Sequence, residues 1–200
     1  MQDKHKSYFL VPLLSAINVE PMMKKFDCGN TQINEFFKQN SFSEKAQNEL
    51  LTFILIDAEA QRIAGFFSST TGSMEFKEKS DSGIEKSEEP YINLAYFAID
   101  REYQGVGLGR SLMREFFRLS LTVAFYTKIS MIYLESVDES VNFYKRLGYK
   151  LKDERKSPER IEASGNDTSH MDFPMLISIS TLFDSGYLPY DRNFADKKLD

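Results

Sequence analysis

Cysteine occurs once in this 200-residue chain, at Cys28, and histidine twice. One thiol cannot staple a fold, so a disulfide framework is excluded and a reducing, cytoplasmic compartment is expected. Two histidines and one cysteine, far apart in sequence, lack metal-ligand spacing, so no zinc or other metal site is expected. No stretch approaches eighteen consecutive apolar residues, which argues against a transmembrane helix and a membrane partner. The basic start, residues 1–6, leads into an apolar run broken by Pro12 and Asn18 with no small-residue cleavage site behind it, so no signal peptide is expected. Positive charge is not in excess either. Lys and Arg number 25 against 30 Asp and Glu, a net charge of −5. That balance argues against a protein that grips nucleic acid over its whole surface, and leaves room for one local basic patch.

What is present is ordinary for a globular chain: 42% hydrophobic and 28% charged residues, with length enough to bury a core unaided. The pattern predicts a single domain over residues 1–182 and a C-terminal tail over 183–200, docked or flexible. Residues 8–14 are strand-like, with Pro12 at an edge or an end. Asn30 is positioned to cap a helix whose Ile33, Phe36 and Phe37 fall at i, i+3 and i+4, and a second short helix is expected over 41–48. Residues 51–56 and 63–69 read as a hairpin. The polar stretch 77–90 reads as a surface loop, usually just solvated, with a substrate lid as the sharper alternative. Residues 91–99 suit a central strand buried on both faces.

A long helical pattern follows, with Leu108, Leu112, Phe116, Leu119 and Val123 as its core stripe. A short strand at 131–134 and a short helix at 139–147, closed by Gly148 as a C′ glycine, come next. Another strand begins at 149–151, 153–169 is a second polar loop, and 175–182 is the last strand. The order β, two α, β, β, β, α, β, α, β, β implies a mixed sheet with helices on both faces and right-handed crossovers in its parallel part. Cys28 reads as a small packed side chain, since no histidine or helix start is arranged to activate it. His170 reads as a surface residue, and Met22, Met23 and Met74 as core or half-exposed fillers. The tail aromatics Phe183, Tyr187, Tyr190 and Phe194 would dock on the parent domain or on a partner subunit.

The chemistry concentrates in residues 97–112, where a buried strand runs through a glycine-rich turn directly into a helix. The first helical N–H groups have no intrahelical partner and sit at the positive end of the dipole. Glycines let the backbone approach an anion without a Cβ in the way, and Arg110 can add a charge-assisted contact. Two phosphate motifs fail at this position. Counted from Gly105, both the Rossmann fingerprint and the P-loop need glycine where Arg110 stands. Gln-x-x-Gly-x-Gly does fit, as Gln104, Gly107 and Gly109.

That motif resembles the acetyl-coenzyme A signature of the GNAT N-acetyltransferases. A second piece, Phe143-Tyr144-Lys145-Arg146-Leu147-Gly148-Tyr149, is similar to the family's FYxxxGF segment, and the two occur in the family's order across about residues 50–180. A third, Phe26-Asp27-Cys28-Gly29-Asn30 followed by Ile33 to Phe37, resembles the N-terminal segment of a GNAT branch that includes toxins of toxin–antitoxin pairs. Acidic overall charge and a longer C-terminus depart from that toxin pattern. The resemblance implies an α/β fold: a mixed, mostly antiparallel sheet of about six to seven strands, helices on both faces, and a central β-α-β core for acetyl-CoA.

It also implies direct transfer, in which a neutral amine attacks the thioester carbonyl, an oxyanion forms and the thiolate leaves. Phe97, Ala98 and Ile99 would pair with the pantetheine arm, with a backbone N–H such as that of Ile99 facing the thioester oxygen. Gln104, Gly105, Val106, Gly107, Leu108, Gly109 and Arg110 would take the pyrophosphate. Tyr144 matches the position whose phenol protonates the thiolate; phenol and thiol pKa values, about 10 and about 8.5, suit that exchange. Glu135 is the candidate base, through water if not directly, and an amine of low pKa would need none. The acceptor is an amine on a small molecule, a protein or an aminoacyl-tRNA. The tRNA alternative brings an antitoxin partner, and a homodimer is the commonest symmetric assembly. A reading of another class is a non-catalytic CoA-binding interaction module, which would have no use for a proton donor at Tyr144.

Overall fold

Branched and aromatic side chains pack well on a pleated surface, and the runs rich in them form the strands. In the computed structural model, which describes residues 7–80, 83–169 and 171–190, the chain begins with β1 (Tyr8–Pro12). Three short helices follow, α1 (Glu20–Lys25), α2 (Thr31–Glu35, prolonged by a π-helical turn over Phe36–Asn40) and α3 (Glu44–Glu49). Then come β2 (Leu51–Asp57), β3 (Arg62–Ser80), β4 (Gly83–Ile99) and α4 (Leu108–Tyr126). The rest is β5 (Met131–Val137), α5 (Asp138–Arg146), β6 (Lys150–Leu151), α6 (Pro158–Ala163), β7 (Asp172–Ser178) and α7 (Ile179–Asp184).

Among the described residues seven strands form one sheet, in the order β1-β2-β3-β4-β5-β7-β6. β4 and β5 are parallel from Tyr91↔Met131 to Leu94↔Leu134, whereas the pairs β1–β2, β2–β3, β5–β7 and β6–β7 are antiparallel. This is the expected mixed, mostly antiparallel sheet. Among the described residues no helix is long and apolar enough to cross a membrane.

The chain forms two compact units. Of the described residues, the first holds those within 7–70 and 95–116, with Tyr190, and the second those within 71–94 and 117–189. In the first unit, adjacent residues of β3 point to opposite faces, as a pleated strand requires. Phe66 meets Phe26 (5.5 Å between ring centroids) and Phe37 (4.1 Å) from the short helices. Phe67 meets Phe116 of α4, 5.1 Å away and edge-on. Helices therefore cover both faces here. All five rings are buried, and each such burial is worth roughly 1.5–3 kcal/mol. Gly65 makes the α4 contact close: a Cβ on it would stand 2.7 Å from Ile99 Cδ1 and 3.2 Å from Leu112 Cδ2.

The second unit is built on the parallel β4–β5 pairs and on the long β5–β7 ladder from Met131↔Ser178 to Val137↔Asp172. Phe117 packs on Tyr149 and, edge-on at 5.1 Å, on Tyr187. Tyr187 lies in the segment expected to be a tail. That segment is described to residue 190, so Phe194, like His170, falls outside the described residues.

Several expectations need correction. Residues 77–80 and 83–90 are strand, not loop: β3 runs to Ser80 and β4 starts at Gly83. The segment is stabilised across strands, by Lys86 Nζ on Glu75 (3.1 Å) and Ser73 Oγ donating to Glu88 (2.5 Å). Gly72, Met74 and Phe76 are half-buried while Ser73, Glu75 and Lys77 are exposed, a period of two that polarity alone concealed. The last strand stops at Ser178, because its hydroxyl accepts the Thr181 N–H and caps α7. Residues 153–169 contain α6, started by Pro158 in the first turn. Helix α1, with Pro21 in its first turn, was not anticipated. Finally, the stripe on α4 is wider and rotated. Leu112, Met113, Phe116, Phe117, Ser120 and Leu121 are buried, Leu119 is half-buried and Val123 is exposed.

Candidate functional site

In the first unit the parallel ladder to β5 has ended at Leu94, and β4 runs five residues further. Ala98 and Ile99 are buried there and Phe97 is half-buried. Asp100, only 1% exposed, ends the strand. Its Oδ1 accepts the Glu102 N–H (3.0 Å), capping a 3-10 turn over Arg101–Tyr103, and its Oδ2 accepts the Asp27 N–H (3.0 Å). The Arg62 guanidinium lies 3.4 Å from both oxygens and also pairs with Glu102. The Glu102 carboxylate is the main reason the Arg62 pKa is raised. Tyr103 is buried and donates its hydroxyl to Asp57 (3.0 Å); burial first, and that bond second, push its phenol well above the usual range.

The turn itself is open. Gln104, Gly105, Val106 and Gly107 are exposed, Leu108 and Gly109 half-exposed, and Arg110 exposed. Gly105 and Gly107 have φ of 77° and 89°, which glycine alone adopts readily. A Cβ on either would meet nothing within 4 Å. Helix α4 starts at Leu108, with the Arg110 and Ser111 N–H groups donating back to Gly107 O. Gln104 behaves differently from its neighbours: its side-chain Nε2 donates to Ile99 O (2.8 Å) and Cys28 O (3.0 Å).

The segment after Phe26 is tied to this turn. Asp27 O accepts the Arg101 N–H (2.8 Å) and Asp27 Oδ2 lies 3.3 Å from Arg101. Asp27 Oδ1 accepts Gly29 N–H and Asn34 Nδ2, and these two bonds, in that order, lower its pKa. Asn34 Oδ1 accepts the Cys28 N–H (3.0 Å). Burial pushes the Cys28 thiol up, so it is no activated nucleophile. As expected, Asn30 Oδ1 accepts the Ile33 N–H.

The second unit carries Tyr144 and Glu135. Tyr144 sits on α5, buried, edge-on to Phe143 (5.1 Å) and Tyr149 (5.6 Å). Burial raises its phenol pKa well above the usual value. The helix ends as expected: Gly148 N–H donates to Lys145 O and Tyr149 N–H to Tyr144 O, both at 3.1 Å. Glu135 is exposed on β5, and its Oε1 accepts the Tyr133 hydroxyl at 2.7 Å. Burial first, and that bond second, raise the Tyr133 phenol pKa. Among the described residues no cluster of three or more His, Cys, Asp or Glu is arranged for a metal.

Sequence reasoning missed the Asp27–Asn34–Asp100–Gln104 network and the Tyr133–Glu135 bond. The spacing of Asp27, Asn30 and Asn34 was a signal for the first, since short polar side chains bond nearby backbone.

A family model described as "Acetyltransferase (GNAT) domain" matches residues 50–151, just over half of the chain. Among solved structures, one described as a bacterial toxin is 21% identical, covering 94% of this chain and 99% of its own at a TM-score of 0.71. A structure of AtaTR bound with acetyl-CoA is 18% identical, covering 90% and 98%, TM-score 0.65. AtaT complexed with acetyl-methionyl-tRNAfMet is 18% identical, covering 90% and 99%, TM-score 0.68.

Proposed function

This chain belongs to the GNAT acetyltransferases, and we propose that it moves an acetyl group from acetyl-CoA to a primary amine with Tyr144 as general acid. The observation that carries the cosubstrate reading is the turn at Gly105 and Gly107. It lies exposed between a buried strand end and a 19-residue helix, with open space where each Cβ would be. A phosphate can approach such backbone closely, so the residues present fit the pyrophosphate of acetyl-CoA. In this reading Gly105 to Gly109 present backbone N–H groups to it and Arg110 adds a cation. Phe97, Ala98 and Ile99 offer strand backbone to the pantetheine arm, and the Ile99 N–H donates to the thioester oxygen.

Acetyl-CoA supplies an acyl carbon whose bond to sulfur is exchanged for a bond to the amine nitrogen. The sulfur needs one proton and the nitrogen must lose one. Tyr144 supplies the first from a phenol that burial keeps protonated. Glu135, held by Tyr133, would receive the second through water. The test is to incubate the protein with labelled acetyl-CoA and a cell extract divided into small amines, proteins and charged tRNA, beside Tyr144→Phe. Label deposited by the unsubstituted protein and lost in the variant supports the reading. Acetyl-CoA binding without label in any fraction moves the weight to a non-catalytic CoA-binding module.

A second reading, acetylation of aminoacyl-tRNA under the control of an antitoxin, is favoured by one observation. Residues 145–160 hold seven Lys or Arg against three Asp or Glu, a local excess of four in a chain of net charge −5. Arg146, Lys150, Lys152, Arg155, Lys156 and Arg160 are exposed, and a phosphate backbone is the polymer such a run of cations suits. The acceptor's chemistry agrees. An α-amine with a pKa of about 7.7–8.0 is roughly one-third neutral at about pH 7.5, whereas a lysine amine is neutral in roughly one molecule per thousand. Glu135, the candidate base, is exposed and already accepts from Tyr133, and an α-amine asks less of it. Label in the charged-tRNA fraction, lost after Arg146→Ala with Lys150→Ala, is the expected outcome. Label confined to proteins or small amines retires this reading.

A further inference from the structure

Gln104 falls in the acetyl-CoA motif, yet its side-chain amide is engaged by the protein's own backbone. Both partners of the amide, Ile99 O and Cys28 O, are carbonyl oxygens, which only the NH2 end can satisfy, and an amide has two such donors. Both are engaged, so none remains for a phosphate. One partner is the end of β4. The other is 76 residues upstream, in a segment that is itself held rigidly. Asn34 accepts the Cys28 N–H and donates to Asp27. Asp27 in turn donates its backbone N–H to buried Asp100, and its carbonyl accepts the Arg101 N–H. The next residues, from Gly105 to Gly107, have two positive-φ glycines and exposed backbone. Gln104 is therefore the last side-chain anchor before the turn.

We infer that Gln104 and Asn34 are positioning residues: they lock segment 27–34 to the strand end and so preorganise the Gly105–Gly107 turn for the pyrophosphate. The inference rests on the acetyl-CoA reading above. A glycine turn left loose must be ordered when the ligand binds, and that entropy is subtracted from affinity. Releasing about one residue's backbone freedom corresponds to roughly a tenfold change in Kd. Segment 27–34 thus acts on acetyl-CoA affinity through Cys28 O and through the Asp27 bonds to Asp100 and Arg101, without touching the ligand.

The test is calorimetric titration of acetyl-CoA into the full chain and into Gln104→Met, Gln104→Arg, Asn34→Ala and the Gln104→Met/Asn34→Ala pair, with the melting temperature of each unliganded protein. Gln104→Met keeps the length and removes both donors; it should bind about tenfold more weakly. Gln104→Arg restores donors and, titrated at about 0.5 M salt to screen its added charge from the pyrophosphate, should recover most of that loss, a rescue that mere loss of folding would not show. Asn34→Ala should weaken binding in the same direction, and the double variant should lose less than the sum of the two single losses, because the two residues share the Cys28 link. Unchanged affinity in Gln104→Met overturns the inference, as does a Gln104→Arg protein no better than Gln104→Met. If Gln104→Met melts too early to titrate, Asn34→Ala decides: unchanged affinity there overturns the inference. Failure of the unsubstituted chain to bind acetyl-CoA would remove the cosubstrate reading itself, which the other failures leave standing.

Discussion

Tyr149 stands edge-on to Tyr144, ring centroids 5.6 Å apart at 74°, and its buried hydroxyl has no hydrogen-bond partner among the described residues. A buried hydroxyl without a partner costs about 1–3 kcal/mol. Removing it while keeping the ring should stabilise the protein. Tyr149→Phe is expected to gain about 1 kcal/mol, seen as a melting temperature raised by roughly 2–4 °C. The phenol pKa of Tyr149 is raised, first by burial and then by Tyr144. Its folded value lies above the unfolded one, so its contribution is whole below about pH 10 and lost as pH rises beyond it. The variant should therefore lose less stability between about pH 9 and 11. A lowered melting temperature would show that the hydroxyl is satisfied after all.

Tyr144 is expected to matter to turnover and not to binding. Tyr144→Phe should lower kcat by about 10²- to 10⁴-fold, the usual worth of a general acid, with the acetyl-CoA Kd changed by less than about twofold. Because burial raises this phenol's pKa, it stays protonated through neutral and mildly alkaline pH. The rate of the unsubstituted enzyme should rise with pH as the acceptor amine loses its proton, without a falling limb below about pH 9. A falling limb near neutrality that persists in Tyr144→Phe would assign the acid elsewhere.

The glycine turn, the Gly148 stop and the Asn30 cap were readable because each depends on one residue's own backbone chemistry. The Asn30 side chain reaches Ile33 N–H three residues away, and Gly148 takes a φ of 97° at the end of α5. The β3–β4 arm was not readable, since Glu75, Lys77, Lys86 and Glu88 look like a solvated loop until Lys86 meets Glu75 across the strands. The α4 stripe was half readable: Leu112 and Phe116 are buried as expected, but the adjacent row Met113–Phe117 is buried too and Val123 is exposed. Tyr144 is singled out by its motif alone, and its raised pKa appears only once the fold buries it. The bond from Gln104 to Cys28 spans 76 residues, and no local pattern reports a contact of that range.

Asp100 holds two backbone N–H groups, those of Asp27 and Glu102, from a nearly inaccessible position. Asp100→Ala removes a cap worth about 1 kcal/mol and strands a buried donor at about 1–3 kcal/mol. The expected loss is about 3 kcal/mol, a melting temperature lower by roughly 6–12 °C. Arg62 loses a partner as well, but it still has Glu102. A loss below about 1 kcal/mol in urea denaturation would mean water replaces the carboxylate at both N–H groups.

Gly107 separates folding from binding. Its φ is 89° and a Cβ on it would touch nothing within 4 Å, so a side chain there costs only backbone strain in the free protein. Gly107→Val should lower stability by about 1–2 kcal/mol, the penalty for an L-residue in the left-handed region. Acetyl-CoA should then stabilise the variant far less than the unsubstituted protein, because the new side chain occupies the space through which a phosphate reaches the backbone. At a ligand concentration of about 100 times Kd the unsubstituted protein gains about 2.7 kcal/mol; a tenfold weaker Kd cuts that to about 1.4 kcal/mol. Equal stabilisation by acetyl-CoA in Gly107→Val would place the pyrophosphate away from this turn.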